Sequence, residues 1–316
     1  MGKEHYLGID VGGSTIVYGV ITAEGLLIKE KSSSTNPERG ASVILNEILR
    51  TCEALIEEDS SIVGVGMGLP GTVDPQRGIA RDCPNLHWLN IDVLAPFRTG
   101  LRVPVYLEND VRCMALAEHT FGAARGTENA ICIALGTGIG SGIFVRGDLL
   151  RGTSGAAGEV GHMTLIPGGG EQCACRNSGC WETLASASAI IRNARLGMER
   201  AGRMGIPTLL KDPLDGKKVT HAALKGDSIA LAVFEEAGKY LGIGLANLVN
   251  LFNPECIVIG GGMSLAGDLL FSPAKNEMLK RGMPNPLQDV RIVSAELGCS
   301  AGVIGAALLC LLGTIK

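Results

Sequence analysis

The sequence predicts an α/β protein made of two similar α/β domains flanking a cleft, with a metal-stapled loop on the second. Three observations carry that expectation: an approximate internal repeat, apolar strand-like runs ending in glycine-rich loops, and a cluster of one histidine and three cysteines. At 316 residues the chain has room for two domains of ordinary size. Hydrophobic residues make up 46% and charged residues 19%, which supports a large core and excludes a disordered chain. Aromatics are only 4% and glycines number 45, so the core is aliphatic and much of the glycine serves turns and close backbone approaches. A formal net charge of −4 argues against a nucleic-acid-binding surface.

The repeat sets the elements in order. Residues 6–9 read as a buried strand, 10–15 as a tight polar loop, 16–21 as a second strand and 26–28 as a third. The same series returns later: strand 130–135, glycine loop 136–140, strand 141–145, a turn at 146–148 and an apolar pair at 149–150. Between the halves lie a helical pattern at 42–58, a buried strand at 62–66, a loop at 68–74, a strand at 103–107 and a helix at 111–119. Further on, 182–200 reads as one helix and 202–218 as a polar surface excursion. Asp227 and Ser228 cap a long helix that Asn253-Pro254 stops near residue 252. A buried strand at 256–259 then runs into Gly260-Gly261-Gly262. The uncharged stretch 297–315 has the length of a membrane span, but its glycines, serine and cysteines suit a buried core helix. No membrane partner is expected. With no secretory segment at the start, the expected compartment is the cytoplasm.

The glycine loops carry the first chemistry. Backbone N–H groups of a glycine-rich turn can approach and bind phosphate oxygens. Asp10, Gly12, Gly13, Ser14 and Thr15 supply a carboxylate, such a turn and two hydroxyls; Gly136, Thr137 and Gly138 repeat the turn. Two such loops with the late triple glycine point to a nucleoside triphosphate, with Mg²⁺ bridging its phosphates. No G-x-x-x-x-G-K-[ST] motif occurs, and Ser141 stands where a dinucleotide fingerprint needs its third glycine. Asp110 follows an apolar strand at the mouth of a helix, so it is either a general base in phosphoryl transfer or the cap of that helix.

His162, Cys173, Cys175 and Cys180 fall within nineteen residues. Three thiolates and one imidazole fill a four-coordinate, closed zinc site, which is structural; a catalytic zinc keeps an open position. The other seven of the ten cysteines sit singly among apolar residues. The staple would hold Glu159 and Glu182 close together. Acids and amides at short spacing suit a polyhydroxylated ligand such as a sugar, and one His162 nitrogen can bind metal while the other donates to a sugar hydroxyl or to an acceptor behind the metal's ligands.

Along nearly its whole length the chain resembles the ROK family of sugar kinases, within the actin-like (RNase H-like) ATPase superfamily. The matching pieces are Asp10-Val11-Gly12-Gly13-Ser14, Gly68-Leu69-Pro70-Gly71, Glu108-Asn109-Asp110, the 135–140 loop, Gly158-Glu159-Val160-Gly161-His162, the Cys173-x-Cys175-x4-Cys180-x-Glu182 stretch and Gly260-Gly261-Gly262. The resemblance implies an ATP-dependent hexose kinase acting on the 6-hydroxyl, glucose first, with N-acetylmannosamine, fructose, mannose or allose as other acceptors. It implies Asp110 as catalytic base and sugar contacts from Gly71, Asn109, Asp110, Glu159, His162 and Glu182. Asp10, Gly12, Gly13, Ser14, Thr15, Gly136, Thr137 and Gly138 would surround ATP and Mg²⁺, and Gly260, Gly261 and Gly262 the adenosine. The domains would run 1–118 plus 300–316, with a returning C-terminal helix, and 119–299, with the zinc loop; they would close on substrates, in a homodimer or homotetramer. Two departures stand out: Arg176 where the family usually has glycine, and Ser14-Thr15-Ile16 where it usually has Thr-Lys, without the positive charge. A sugar-responsive regulator is the non-enzyme alternative, set against by the early position of Asp10 and the acidic balance. A zinc-ribbon binding module is a weaker one, since the metal loop is one short stretch of a large chain.

Overall fold

The structure is a computed structural model that describes residues 4–313. Its chain forms two compact units, one through Glu128 with Gly142–Gly158 and the chain from Ala295 onward, the other Asn129–Ser141 with Glu159–Ser294. The chain passes between these units at four junctions, the second unit being interrupted by 142–158.

In the first unit β1 (His5–Val11), β2 (Thr15–Thr22) and β3 (Leu27–Ser34) form an antiparallel meander, with β3 running well past the expected 26–28. Helix α1 (Ala41–Glu58) buries Ile44, Leu45, Ile48, Cys52 and Leu55, an i, i+1, i+4, i+8, i+11 stripe, into one cluster with Leu7, Ile9 and Tyr18. β4 (Ile62–Leu69) follows; β5 (Thr72–Asp74), β6 (Ile79–Cys83) and β7 (Trp88–Asp92) make a small separate sheet that the sequence reading missed. After α2 (Ala95–Gly100), β8 (Val105–Asn109) completes the order β3-β2-β1-β4-β8, with β1, β4 and β8 parallel. Helix α3 (Asp110–Thr120) starts without a linker.

The second sheet has the order β11-β10-β9-β12-β13. Its members are β9 (Ala130–Leu135), β10 (Ile139–Val145) and β11 (Asp148–Leu149), joined later by the last two strands. The expected helix at 182–200 is two: α4 (Glu182–Ala185) and α5 (Ala187–Met204), split at Ser186, whose hydroxyl caps α5 by accepting from the Ala189 N–H. Helix α6 (Gly216–Leu224) ends the excursion, and α7 (Ser228–Phe252) has the expected ends, with Asp227 as cap and Asn253 left-handed at its close. β12 (Cys256–Gly260), α8 (Asp268–Arg281), α9 (Pro284–Asp289) and β13 (Arg291–Ser294) complete the second unit, with β9, β12 and β13 parallel.

The apolar stretch from 297 is α10 (Ala301–Leu311), packed on α3, β1 and β4 of the first unit; residues 314 and 315 of that stretch lie outside the described residues. The approach is backbone to backbone: a Cβ on Gly8 or Gly66 would strike the carbonyls of Val303 or Ala306. Among the described residues no helix is long and apolar enough to cross a membrane.

Candidate active site

Parallel strands gather functional groups at their C-terminal edge, because each strand leaves its last residues and its loop there. In the first unit the register brings Asp10 beside Gly68, Gly68 beside Glu108, and Leu69 beside Asn109. Asp10, the 68–71 loop and Asn109-Asp110 therefore share one edge. The turn after β1 is fixed by Gly12 N–H donating to the Thr15 carbonyl at 2.9 Å and by buried Thr35, whose hydroxyl donates to the Gly12 carbonyl at 2.7 Å. Burial raises the Asp10 carboxyl to about 6, since little water remains to solvate its charge. It abuts Gly302 in the first turn of α10, where any side chain would collide with it.

Asn109, not Asp110, caps α3: its Oδ1 accepts from the Arg112 N–H at 3.0 Å. Its Nδ2 donates to the Gly71 carbonyl at 3.0 Å and to Asp110 Oδ1 at 2.9 Å, and that same oxygen accepts from the Val111 N–H at 2.8 Å. Asp110 is thus the first helical residue, its carboxylate oriented by one amide and one backbone donor. The capping role that stood as its alternative belongs to its neighbour.

The second unit repeats the edge. Gly260 pairs with Ala134 at the ends of β12 and β9, and a Cβ on left-handed Gly261 would enter the Leu135 backbone. The 136–138 and 260–262 loops are held together by that contact. Gly136 N–H donates to the Gly138 carbonyl at 3.0 Å, and Ala187 N–H to the Gly136 carbonyl at 2.9 Å.

Beside these loops stands the cysteine cluster. The ligand atoms of His162, Cys173, Cys175 and Cys180 all lie within 4.8 Å of one another. Cys173 Sγ is 3.5 Å from His162 Nδ1, and Cys175 Sγ is 3.6 Å from Cys180 Sγ. Tetrahedral zinc with bonds of about 2.0–2.3 Å needs edges of roughly 3.5–3.8 Å, so these residues fit the ion. His162 Nδ1 faces the cluster, and Nε2 lies 4.0 Å from Glu159 Oε2, beyond hydrogen-bond distance. Burial, then a hydrogen bond to Glu182, raises the Cys173 thiol, whose proton a metal would displace. Arg176 lies on the cluster's turn with φ 73°, a left-handed conformation that glycine takes without strain. Glu182 reaches both ways: Oε1 is 3.6 Å from His162 Nδ1, while Oε2 accepts from the Ile139 N–H at 3.4 Å and abuts Gly138. It links the cluster to the glycine loop, a contact the sequence did not suggest.

The sequence reading also missed the charges behind Asp110. Glu108 is fully buried and pairs with Arg112 at 3.0 Å and with Arg151 at 2.7 Å. The Glu108-x-x-x-Arg112 spacing was the available signal.

Each of the two sheets carries a glycine loop at its strand ends, the first with Asp10 and Asp110 beside it and the second with the Cys/His cluster joined to its loop through Glu182. The chain belongs to the ROK family, which it matches over residues 6–312. It is 36% identical to a glucokinase of Halalkalibacterium halodurans over 315 residues, covering 98% of this chain and 96% of that one. The ROK family glucokinase of Streptomyces griseus, solved with glucose and AMPPNP, superposes with a TM-score of 0.83 at 34% identity, over 99% of this chain and all of that one. A xylose repressor of Bacillus spizizenii is 30% identical over 95% of this chain and 75% of its own length.

Proposed function

We propose that the protein is an ATP-dependent hexose kinase that phosphorylates the 6-hydroxyl of glucose. The observation that carries the reading is the carboxylate of Asp110 at the end of β8, fixed by Asn109 and the Val111 N–H and not serving as a helix cap. A base so oriented takes the proton of the sugar hydroxyl as its oxygen attacks the γ-phosphorus, and the bond to the leaving ADP breaks. Asn109, Glu159, His162, Glu182 and the Gly71 segment hold the remaining hydroxyls. Gly12, Gly13, Ser14, Thr15 and Gly136 to Gly138 face the phosphates, with Gly260 to Gly262 toward the adenosine. Mg²⁺ would neutralise phosphate charge, and Asp10 is the residue that would hold its water shell. Zinc in the Cys/His cluster supplies structure: it fixes the segment that carries Glu159, His162 and Glu182. The glucokinase relatives support glucose over N-acetylmannosamine, fructose, mannose and allose. The same reading carries the expected domain division, a cytoplasmic setting and a homodimer or homotetramer.

A second reading, a sugar-responsive regulator, is favoured by the similarity to the xylose repressor. ADP release measured with each of the five sugars separates the two. Turnover dependent on one sugar supports the kinase; sugar binding without ADP release supports the regulator.

A further inference from the structure

The buried charges around Asp110 have no role in the chemistry just described, and burying them is costly unless every partner is in place. Glu108 and Arg112 have side chains only 1% exposed, and they bracket Asp110 two residues before and two after. Glu108 Oε1 accepts from Arg112 Nη1 at 3.0 Å and from the Asn109 N–H at 3.0 Å; Oε2 accepts from Arg151 Nε at 2.7 Å. The second arm of the Arg112 guanidinium donates to the Gly155 carbonyl. A short loop is therefore gripped at both ends, at Arg151 and at Gly155, by the strand–helix corner that carries Asn109 and Asp110. The loop also closes on itself, Ala157 N–H donating to the Arg151 carbonyl at 3.0 Å. Gly155 is left-handed and packs on the Val73 carbonyl, in the segment that starts at Gly71. Asn109 reaches the same segment from the other side through the Gly71 carbonyl. The loop leads directly into Gly158 and Glu159, where the chain leaves the first unit.

We propose that Arg112 is a positioning residue: held by Glu108, it pins the 151–157 loop to the Asn109-Asp110 corner and so sets how tightly that corner takes the sugar. The inference rests on the hexose-kinase reading. It follows from geometry that only a planar, forked donor supplies. Arg112 meets a carboxylate with one arm and a carbonyl with the other, and a lysine ammonium on one flexible stem cannot bridge both in the same way. The contacts that pin the loop run to the strand–helix corner and to Val73, so its release should weaken sugar and leave nucleotide alone.

Two variants test this. Arg112→Lys keeps a charge against Glu108 and gives up the Gly155 carbonyl; Arg151→Gln, at a residue 27% exposed, frees the other end with less risk to folding. Each should raise the KM for glucose about tenfold or more while kcat and the KM for ATP stay within about threefold, the pattern of lost ground-state positioning. Arg151→Lys should recover most of the loss. Hydrogen exchange of amides 152–158 should speed up in both variants with the rest of the first unit unchanged. Wild-type sugar affinity in both variants, or a loss of kcat with unchanged KM, overturns the proposal; so does unaltered exchange in the loop. Absence of sugar-dependent ADP release by the wild-type protein would instead sink the kinase reading, and the exchange experiment would still decide whether Arg112 orders the loop.

Discussion

At the residue scale, the site is built from side chains held against their own preferences. Asp10 keeps a carboxyl where burial penalises its charge. Its folded value of about 6 lies above the ordinary 3.8, so between those values the native state binds more protons than the unfolded one and stability falls as pH rises. Above pH 6 the difference of roughly two units costs at most about 3 kcal/mol. Asp10→Asn should therefore raise the stability of the ligand-free protein by up to that amount at pH 7.5 and by nothing near pH 3.5, while turnover falls steeply. Denaturant titrations at both pH values, with assays alongside, check it; a variant no more stable at pH 7.5 contradicts the assignment. Arg176 is the second case. A left-handed non-glycine residue costs on the order of 1 kcal/mol, so Arg176→Gly should stabilise the metal-bound protein by about that much with metal content unchanged. A lower melting temperature would show that the Arg176 side chain makes a compensating contact. The departure from the family pattern at this position is thus a matter of backbone conformation, and the ligand set is intact.

At the element scale, what the sequence made legible depended on whether local chemistry or distant packing set the boundary. Helix α7 was readable at both ends because Asp227 and Asn253-Pro254 act locally. The division of α4 from α5 was not, since Ser186 breaks the helix by accepting a hydrogen bond three residues on, with no Gly or Pro to mark it. The sheet of β5, β6 and β7 was hidden because its short strands alternate irregularly and pair only with one another. Asp227 shows how much one cap carries. It accepts from the N–H groups of Ile229, Ala230 and Leu209 and from the Thr208 hydroxyl. Desolvation pushes its carboxyl up, but these donors outweigh it and hold it below the usual carboxylate range. That stabilisation is present above the unfolded value and lost as pH falls through the lowered folded value. Asp227→Ala should cost about 1–2 kcal/mol at pH 7 and progressively less toward pH 2; equal losses at both ends of that range would show that charge plays no part. The Cys/His loop, with four ligand atoms within 4.8 Å of one another, is the element a bound metal would hold in place. Chelation, or Cys175→Ala, should remove one zinc per chain and loosen 160–181, because metal binding and loop folding are one process. Trp181, fully buried beside Cys180, should report this as a red-shifted emission; an unshifted spectrum with the metal gone would mean the loop folds without it.

At the scale of the whole molecule, two sheets present their parallel strand ends in the same manner, and each carries a glycine loop. That duplication was visible in the sequence because strand–glycine–strand patterns repeat at the chain level. The individual strand-end residues were visible for the same reason, as each follows an apolar run. The Glu108–Arg112–Arg151 triad and the two-sided contacts of Glu182 were not, since they join segments about forty residues apart. The family assignment rests on the whole length, residues 6–312, and the choice between a kinase and a sugar-sensing regulator rests on what Asp110 does. Coupled ADP release with glucose and ATP, measured on the wild-type protein and on folded Asp110→Asn, tests that directly. Glucose-dependent turnover that drops by about 10²–10⁴-fold or more in the variant, with glucose binding retained, is the expected result. Near-normal turnover in Asp110→Asn, or no turnover with any hexose in the wild type, would contradict it.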